Sequence, residues 1–285
     1  MRKTHPGRAL LRRLEEQALA PRGATVLSAC SGGPDSVALT SLLVTLAPAH
    51  EWRVVVAHVN HNLRPSSWQD ECVAVAVASR LGVDVRVRSL DVPSRSEASL
   101  RARRYDALTD IASAEGAPVV VTAHTAEDQT ESVLLALFRG TGLRGLGGMV
   151  PRRRLSAGVE LVRPLLRVGR ADVMRELGAT ALPYVRDPSN LDLRYRRNAV
   201  RAALAGLRDR FPRLDEAVAR CAEIVADEIA DAPRAALRRR LRAALEEDAG
   251  LTDVPFERIE ALLRAQRGSV HIKPGVEVRV VRRKT

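Results

Sequence analysis

The chain has 285 residues, with 46 Lys/Arg against 34 Asp/Glu for a formal net charge of +12, and enough length for one large domain plus a smaller one. Its three cysteines, Cys30, Cys72 and Cys221, stand at no CxxC or metal-ligand spacing, which argues against a disulfide framework and a zinc ribbon and fits a reducing compartment. No apolar run is long enough to span a bilayer and the start, Met1-Arg2-Lys3, leads into a charged helix, so a soluble cytoplasmic protein with no membrane partner is expected.

Residues 8–20 have the spacing of an amphipathic helix, and Thr25–Cys30 is an apolar run of strand length. Ser31-Gly32-Gly33-Pro34-Asp35-Ser36 follows, and then Val37–Val44, with the periodicity of a buried helix. A strand, a glycine turn and a helix start bring free backbone N–H groups and a positive dipole end to one point, which binds anions. The glycines permit close approach, and the Ser31 and Ser36 hydroxyls add donors. A carboxylate beside phosphates repels them unless a cation intervenes, so Asp35 is expected to share Mg²⁺ with the phosphate oxygens. The plainer alternative makes Asp35 a helix cap. There is no Gly-Lys-Ser/Thr ending of the Walker type. The stretch instead resembles the PP-loop of ATP pyrophosphatases, which implies cleavage of ATP between its α and β phosphates.

Arg53–Val59 reads as a second strand, apolar almost throughout as a strand buried on both faces should be. His58, Asn60, His61 and Arg64 cluster at its carboxyl end, where a parallel sheet faces its ligand crevice. Trp68–Leu81 is a helix, Val83–Arg88 an alternating strand nearer an edge, and Ser99–Glu115 a helix bearing Arg101, Arg104 and Tyr105. Pro118–Ala123 is the fourth strand. This alternation predicts a parallel sheet with helices on both faces. His124-Thr125-Ala126-Glu127-Asp128-Gln129-Thr130-Glu131-Ser132 then opens a helix over Val133–Phe138. His124 and Asp128 share a face if that helix starts early, and otherwise the acids simply favour the helix dipole. Gly140–Gly148 reads as an anion-friendly, lid-like loop.

Charge then becomes uneven. Residues 1–149 hold 17 Lys/Arg against 15 Asp/Glu, whereas residues 150–213 hold 15 against 6. Arg152-Arg153-Arg154 precede a short strand, Leu161–Leu166; Asp187-Pro188-Ser189-Asn190 is a turn; Tyr195–Arg201 opens a helix with Arg197 and Arg201 on one face. Beyond Phe211 come an acidic helix, Asp215–Ile229, a basic helix, Ala235–Glu247, a third helix after Pro255, and a hairpin over Val270–Val281 turning at Pro274-Gly275. The expected organisation is therefore an α/β domain, residues 1–210, with a parallel, doubly wound, Rossmann-like sheet, and a smaller, mainly helical domain, residues 211–285, ending in that hairpin. Positive charge gathered beyond the phosphate loop predicts an RNA partner, with Arg152, Arg153, Arg154, Arg201, Arg238, Arg239 and Arg240 as candidate contacts.

The ordered series Ser31–Ser36, His58-Val59-Asn60-His61-x-Leu63-Arg64, Arg101-x-x-Arg104-Tyr105 and His124 through Gly148 resembles the tRNA(Ile)-lysidine synthetases. Arg163-Pro164-Leu165, Asp187-x-Ser189-Asn190 and Tyr195-x-Arg197-Asn198-x-x-Arg201 extend the likeness, which covers roughly residues 24–201. Thr125 stands where many relatives have a second histidine, and Glu127 where they have aspartate. Ending after the hairpin, the chain looks like a short form. The resemblance implies ATP-dependent joining of L-lysine to C2 of the wobble cytidine of the CAU-anticodon isoleucine tRNA, through an adenylated cytidine. It implies ATP contacts from Ser31, Gly32, Gly33, Pro34, Asp35, Ser36, His58 and Asn60. Catalytic roles fall to Asp35, His124, Asp128 and Arg197, with Mg²⁺ on Asp35. The oligomeric state stays open, a homodimer included.

Three rivals are weaker. A PP-loop tRNA thiolase needs a sulfur-carrying cysteine or CxxC pairs, and the cysteine spacing offers neither. A synthetase acting on small metabolites does not explain the basic balance of residues 150–213. An RNA-binding module without catalysis does not explain Asp35, His124 and Asp128 together.

Overall fold

The computed structural model describes residues 7–63, 65–90, 97–187, 192–230, 232–249, 251, 254, 256–264, 267–273 and 276–281. Arg64, Pro188, Ser189, Asn190, Pro274 and Gly275, which carry expectations above, lie outside the described residues, as does the side chain of Arg239. Among the described residues no helix is long and apolar enough to cross a membrane. Contacts divide the chain into two compact units, Met1–Glu223 and Ile224–Thr285.

In the first unit α1 (Gly7–Glu15) precedes β1 (Thr25–Ala29), α2 (Pro34–His50), β2 (Arg53–Asn60), α3 (Trp68–Leu81), β3 (Asp84–Ser89), α4 (Glu97–Ala114) and β4 (Val119–Val121). Then come α5 (Ala126–Phe138), α6 (Leu143–Leu146), β5 (Arg152–Ser156), β6 (Val159–Val162), α7 (Arg170–Gly178), α8 (Arg196–Arg210) and α9 (Leu214–Ala230), the last of which runs on into the second unit. One six-stranded sheet forms in the order β3-β2-β1-β4-β6-β5. Every neighbouring pair is parallel except β5 with β6. The basic stretch Arg152–Arg154, expected ahead of the strands, is itself the antiparallel edge strand, turning back at Gly158 with φ +80°.

Side chains alternate across the sheet. Val26, Val54, Val56, Val119 and Val121 join a core with α2, α3 and α7. Leu27, Val55, Ala57 and Val120 join another with Tyr105, Leu108 and Ile111 of α4. Both faces are thus dry, which explains why β2 and β4 read as unbroken apolar runs. Strand order reverses between β1 and β4: the chain runs outward through β2 and β3, then returns to β1's other side. Their carboxyl ends therefore open a crevice at the topological switch point, where open α/β sheets bind ligands.

In the second unit α10 (Ala232–Ala249), α11 (Phe256–Arg264) and the hairpin β7 (Arg267–Lys273) with β8 (Val276–Val281) pack around Leu245, Ile259, Leu262 and Ile272. Arg238 is only 4% exposed there and its Nε donates to Glu260 at 2.5 Å. Glu228 at 3.3 Å and Asp227 at 3.8 Å also pair with it. These three carboxylates already match the charge of the guanidinium, which counts against the expected RNA contact at this residue.

Candidate active site

The phosphate loop links β1 to α2. Gly32 has φ +84°, and a Cβ there would stand 2.8 Å from the Asp70 carbonyl oxygen. Gly33 caps α2 in an extended conformation, with Pro34 at the first helical turn. The Ser36 hydroxyl donates to Gly33 O at 2.8 Å and accepts the Ser31 N–H at 3.2 Å, so it ties the loop to itself. Gly32→Ala is expected to lose on the order of 1–3 kcal/mol from strain and clash, read by denaturant unfolding. Gly33→Ala, whose added Cβ meets nothing nearer than Ser31 Oγ at 3.5 Å, should stay within about 0.5 kcal/mol of wild type.

A cavity of about 230 Å³ opens from this loop across the crevice. Ser31, Asp35 and Ser36 lie on one side; Thr122, Ala123 and His124 follow β4; Arg104, Tyr105 and Leu108 come from α4. Ala57 and Val59 make its wall apolar, as suits an aromatic base. His58 and Asn60, expected on the nucleotide, are not among the residues lining this space. The His58 ring bonds Cys30 O at 2.9 Å, and Asn60 Oδ1 accepts the Asn62 N–H at 2.9 Å, so they brace the wall and the turn. Of the two histidines at the end of β2 it is His61 that faces the cavity, and its buried Nδ1 has no hydrogen-bond partner.

The acid stretch faces the loop. Helix α5 begins at Ala126, earlier than its apolar run predicts, because Thr125 and Asp128 form a capping box. Asp128 Oδ2 accepts the Thr125 N–H at 2.9 Å and its hydroxyl at 3.1 Å. Asp128 therefore caps the helix, and its second oxygen also accepts Arg197 Nη2 at 3.1 Å. Glu131, fully buried one turn on, takes Arg197 Nε and Arg201 Nε, each at 2.7 Å. Arg201, expected on RNA, is held by these acids in the structure.

One residue unforeseen from the sequence joins the two halves. Arg170, at the start of α7, donates from Nε to Asp35 Oδ2 at 3.1 Å and lies 3.7 Å from Asp128 Oδ2. Its backbone N–H is fixed by Glu127 Oε1 at 2.8 Å. Nothing in the pattern distinguishes it among the 15 Lys/Arg of residues 150–213.

Electrostatics separate the carboxylates. Burial raises the Asp35 pKa above the ordinary carboxylate value, with Arg170 opposing and Asp128 assisting. Burial would raise Asp128 too, but Arg197 and Arg170 outweigh it and hold that group lower. His124, bonded through Nδ1 to Thr122 Oγ1 at 3.0 Å, is pushed down to about 3, chiefly by burial, so its ring is neutral at physiological pH. Among the described residues no three His, Cys, Asp or Glu side chains form a metal cage. Asp35 Oδ1 is nonetheless buried without a partner beside the phosphate cradle. One free carboxylate oxygen is what Mg²⁺ carried by a nucleotide asks of a protein, so the residues fit that ion.

The PP-loop domain family matches residues 8–207. A tRNA(Ile)-lysidine synthase of Salinispora tropica is 39% identical over 278 residues, covering 93% of this chain and 80% of that one. The chain belongs to the tRNA(Ile)-lysidine synthase family of PP-loop proteins. Family members from Thermosynechococcus vestitus (39% over 217 residues, 75% of this chain) and Gloeobacter violaceus (40% over 209 residues, 73%) are matched over 63% and 64% of their own lengths. The chain thus spans less than two thirds of these two relatives. The U34-tRNA thiolase NcsA from Methanococcus maripaludis superposes with a TM-score of 0.63 over 77% of this chain and 78% of that chain, at 16% identity. That likeness is one of fold. Asp35 lines the cavity and is linked through Arg170 to Asp128, so the cradle, the cavity and the acid cluster adjoin one another.

Proposed function

We propose that this protein joins L-lysine to C2 of the wobble cytidine in the CAU-anticodon isoleucine tRNA, using ATP and releasing AMP and pyrophosphate. The observation that supports the reading is Arg170, which reaches Asp35 and Asp128 together, as a centre for both phosphate and amine chemistry would need.

Cytosine O2 is a poor leaving group. In the first step O2 attacks the α-phosphorus and pyrophosphate departs; in the second the lysine ε-amine attacks C2 and AMP leaves. The loop N–H groups and the Ser31 and Ser36 hydroxyls hold the phosphates, and the cavity takes the base. Asp35 would hold Mg²⁺, which neutralises phosphate charge when bound. Ionised Asp128 attracts the lysine ammonium, although its lowered pKa makes it a better counter-ion than base. Neutral His124 can accept a hydrogen bond at the same end of the crevice. AMP formation should require both tRNA and lysine; ATP turnover at equal rate without tRNA would contradict the reading.

Exposed arginines carry the RNA side of the proposal: Arg154 on β5 and Arg240 and Arg242 on α10. Phosphate contacts make log affinity fall with log salt by roughly 0.7–0.9 per contact. Arg240→Gln with Arg242→Gln should flatten that slope and raise KM for tRNA while leaving ATP affinity unchanged. An unaltered slope in the double variant, measured by filter binding, would remove α10 from the interface.

A further inference from the structure

Four guanidiniums converge on Tyr105. Arg153, Arg101 and Arg104 lie 4.7, 5.3 and 5.9 Å from its ring centroid, and Arg163 Nη2 donates to its hydroxyl at 3.4 Å. Arg163 is 3% exposed; its Nη1 ends on Val150 O at 2.8 Å and its Nε is buried without a partner. The contrast with the acid cluster is sharp: Arg170, Arg197 and Arg201 each touch carboxylates. Arg101, Arg153 and Arg163 have no carboxylate partner among the described residues.

Such a group repels itself. Burial lowers the Arg163 pKa, and the charges of Arg101 and Arg153 lower it further. Burial would raise the Tyr105 hydroxyl, but Arg101 and Arg163 outweigh it and hold it below its ordinary value. A cation over an aromatic face gains little against mutual repulsion near a buried guanidinium. An anion from outside would offset that repulsion, and guanidinium forks match phosphate oxygens in pairs.

The geometry points to a phosphate-binding site whose accessible donors are Arg101 and Arg153, with Tyr105 and the buried positive charge of Arg163 behind them, on the α4–β5 side of the cavity and separate from the loop cradle. Tyr105 also lines the cavity, so the occupant abuts whatever the cavity holds. Two sources share this chemistry: the polyphosphate of the nucleotide, or an RNA phosphodiester next to the target base. The RNA source rests on the function proposed above; the site itself does not.

Arg153 is exposed on an edge strand, so Arg153→Gln should fold; Arg101→Gln is the second variant and Arg153→Lys the rescue. Inorganic phosphate should raise the wild-type Tm more than that of either Gln variant, because the loop cradle contributes equally in all of them. This comparison stands even if the protein modifies no tRNA. An RNA occupant predicts a salt slope for CAU stem-loop binding smaller by roughly 0.7–0.9 in each Gln variant, restored in Arg153→Lys, with ATP Kd within about 2-fold of wild type. A nucleotide occupant predicts an unchanged slope and a several-fold higher ATP Kd. Equal phosphate protection in wild type and both folded Gln variants, with slope and ATP Kd also unchanged, would overturn the site.

Discussion

Asp35→Ala is expected to abolish pyrophosphate release, with a loss of at least about 10²-fold, the scale of removing one preorganised electrostatic group from a reaction centre. Asp35 sits in the first turn of α2, where the dipole alone would welcome an acid. A pure dipole role leaves no reason for its surroundings. One oxygen is held by Arg170 at 3.1 Å, and the other is buried with no protein partner beside the loop that takes the phosphates. Burial of a carboxylate in that state is costly unless something outside the chain completes it. Asp35→Asn keeps the shape and should fail equally, because the missing quantity is charge. Both variants should fold, shown by unchanged circular dichroism. Near-normal pyrophosphate release in either folded variant would remove Asp35 from phosphate chemistry.

The second large effect is expected at Asp128. Asp128→Asn should reduce lysidine formation by on the order of 10²-fold or more while leaving an oxygen for the helix cap. The two roles of this carboxylate are separable because its oxygens divide them. Oδ2 accepts from Thr125, and Oδ1 accepts from Arg197. Thr125→Ala is the control: it removes the hydroxyl at 3.1 Å and should cost about 1 kcal/mol of stability with little loss of product. If Asp128→Asn behaved like Thr125→Ala, forming lysidine within a few fold of wild type, Asp128 would be a capping residue only.

The mostly parallel sheet was legible because β2 and β4 are buried on both faces and show it as continuous apolar runs. The phosphate loop was legible because a glycine turn between strand and helix is a local pattern, and Gly32 shows its physical need. Edge strand β5 was hidden. Arg152, Arg153 and Arg154 look alike in sequence, yet Arg152 donates to Leu19 O at 2.9 Å and Arg153 lies over Tyr105. Charge counts find a basic segment but not which arginines meet carboxylates inside it. Arg170, Arg201 and Arg238 all turned inward to acids distant in sequence. Likewise a histidine at a strand end announces a crevice without saying which ring faces it, and here His61 rather than His58 lines the cavity.

The central claim is best tested by the product itself. The protein is incubated with ATP, Mg²⁺, L-lysine and a transcript of the CAU isoleucine tRNA, and the digested nucleosides are analysed by mass spectrometry. One lysidine should appear per tRNA, at the wobble position, with one AMP and one pyrophosphate, and none when lysine or ATP is omitted. Unmodified cytidine at that position, from folded protein that binds both ATP and the tRNA, would contradict the account.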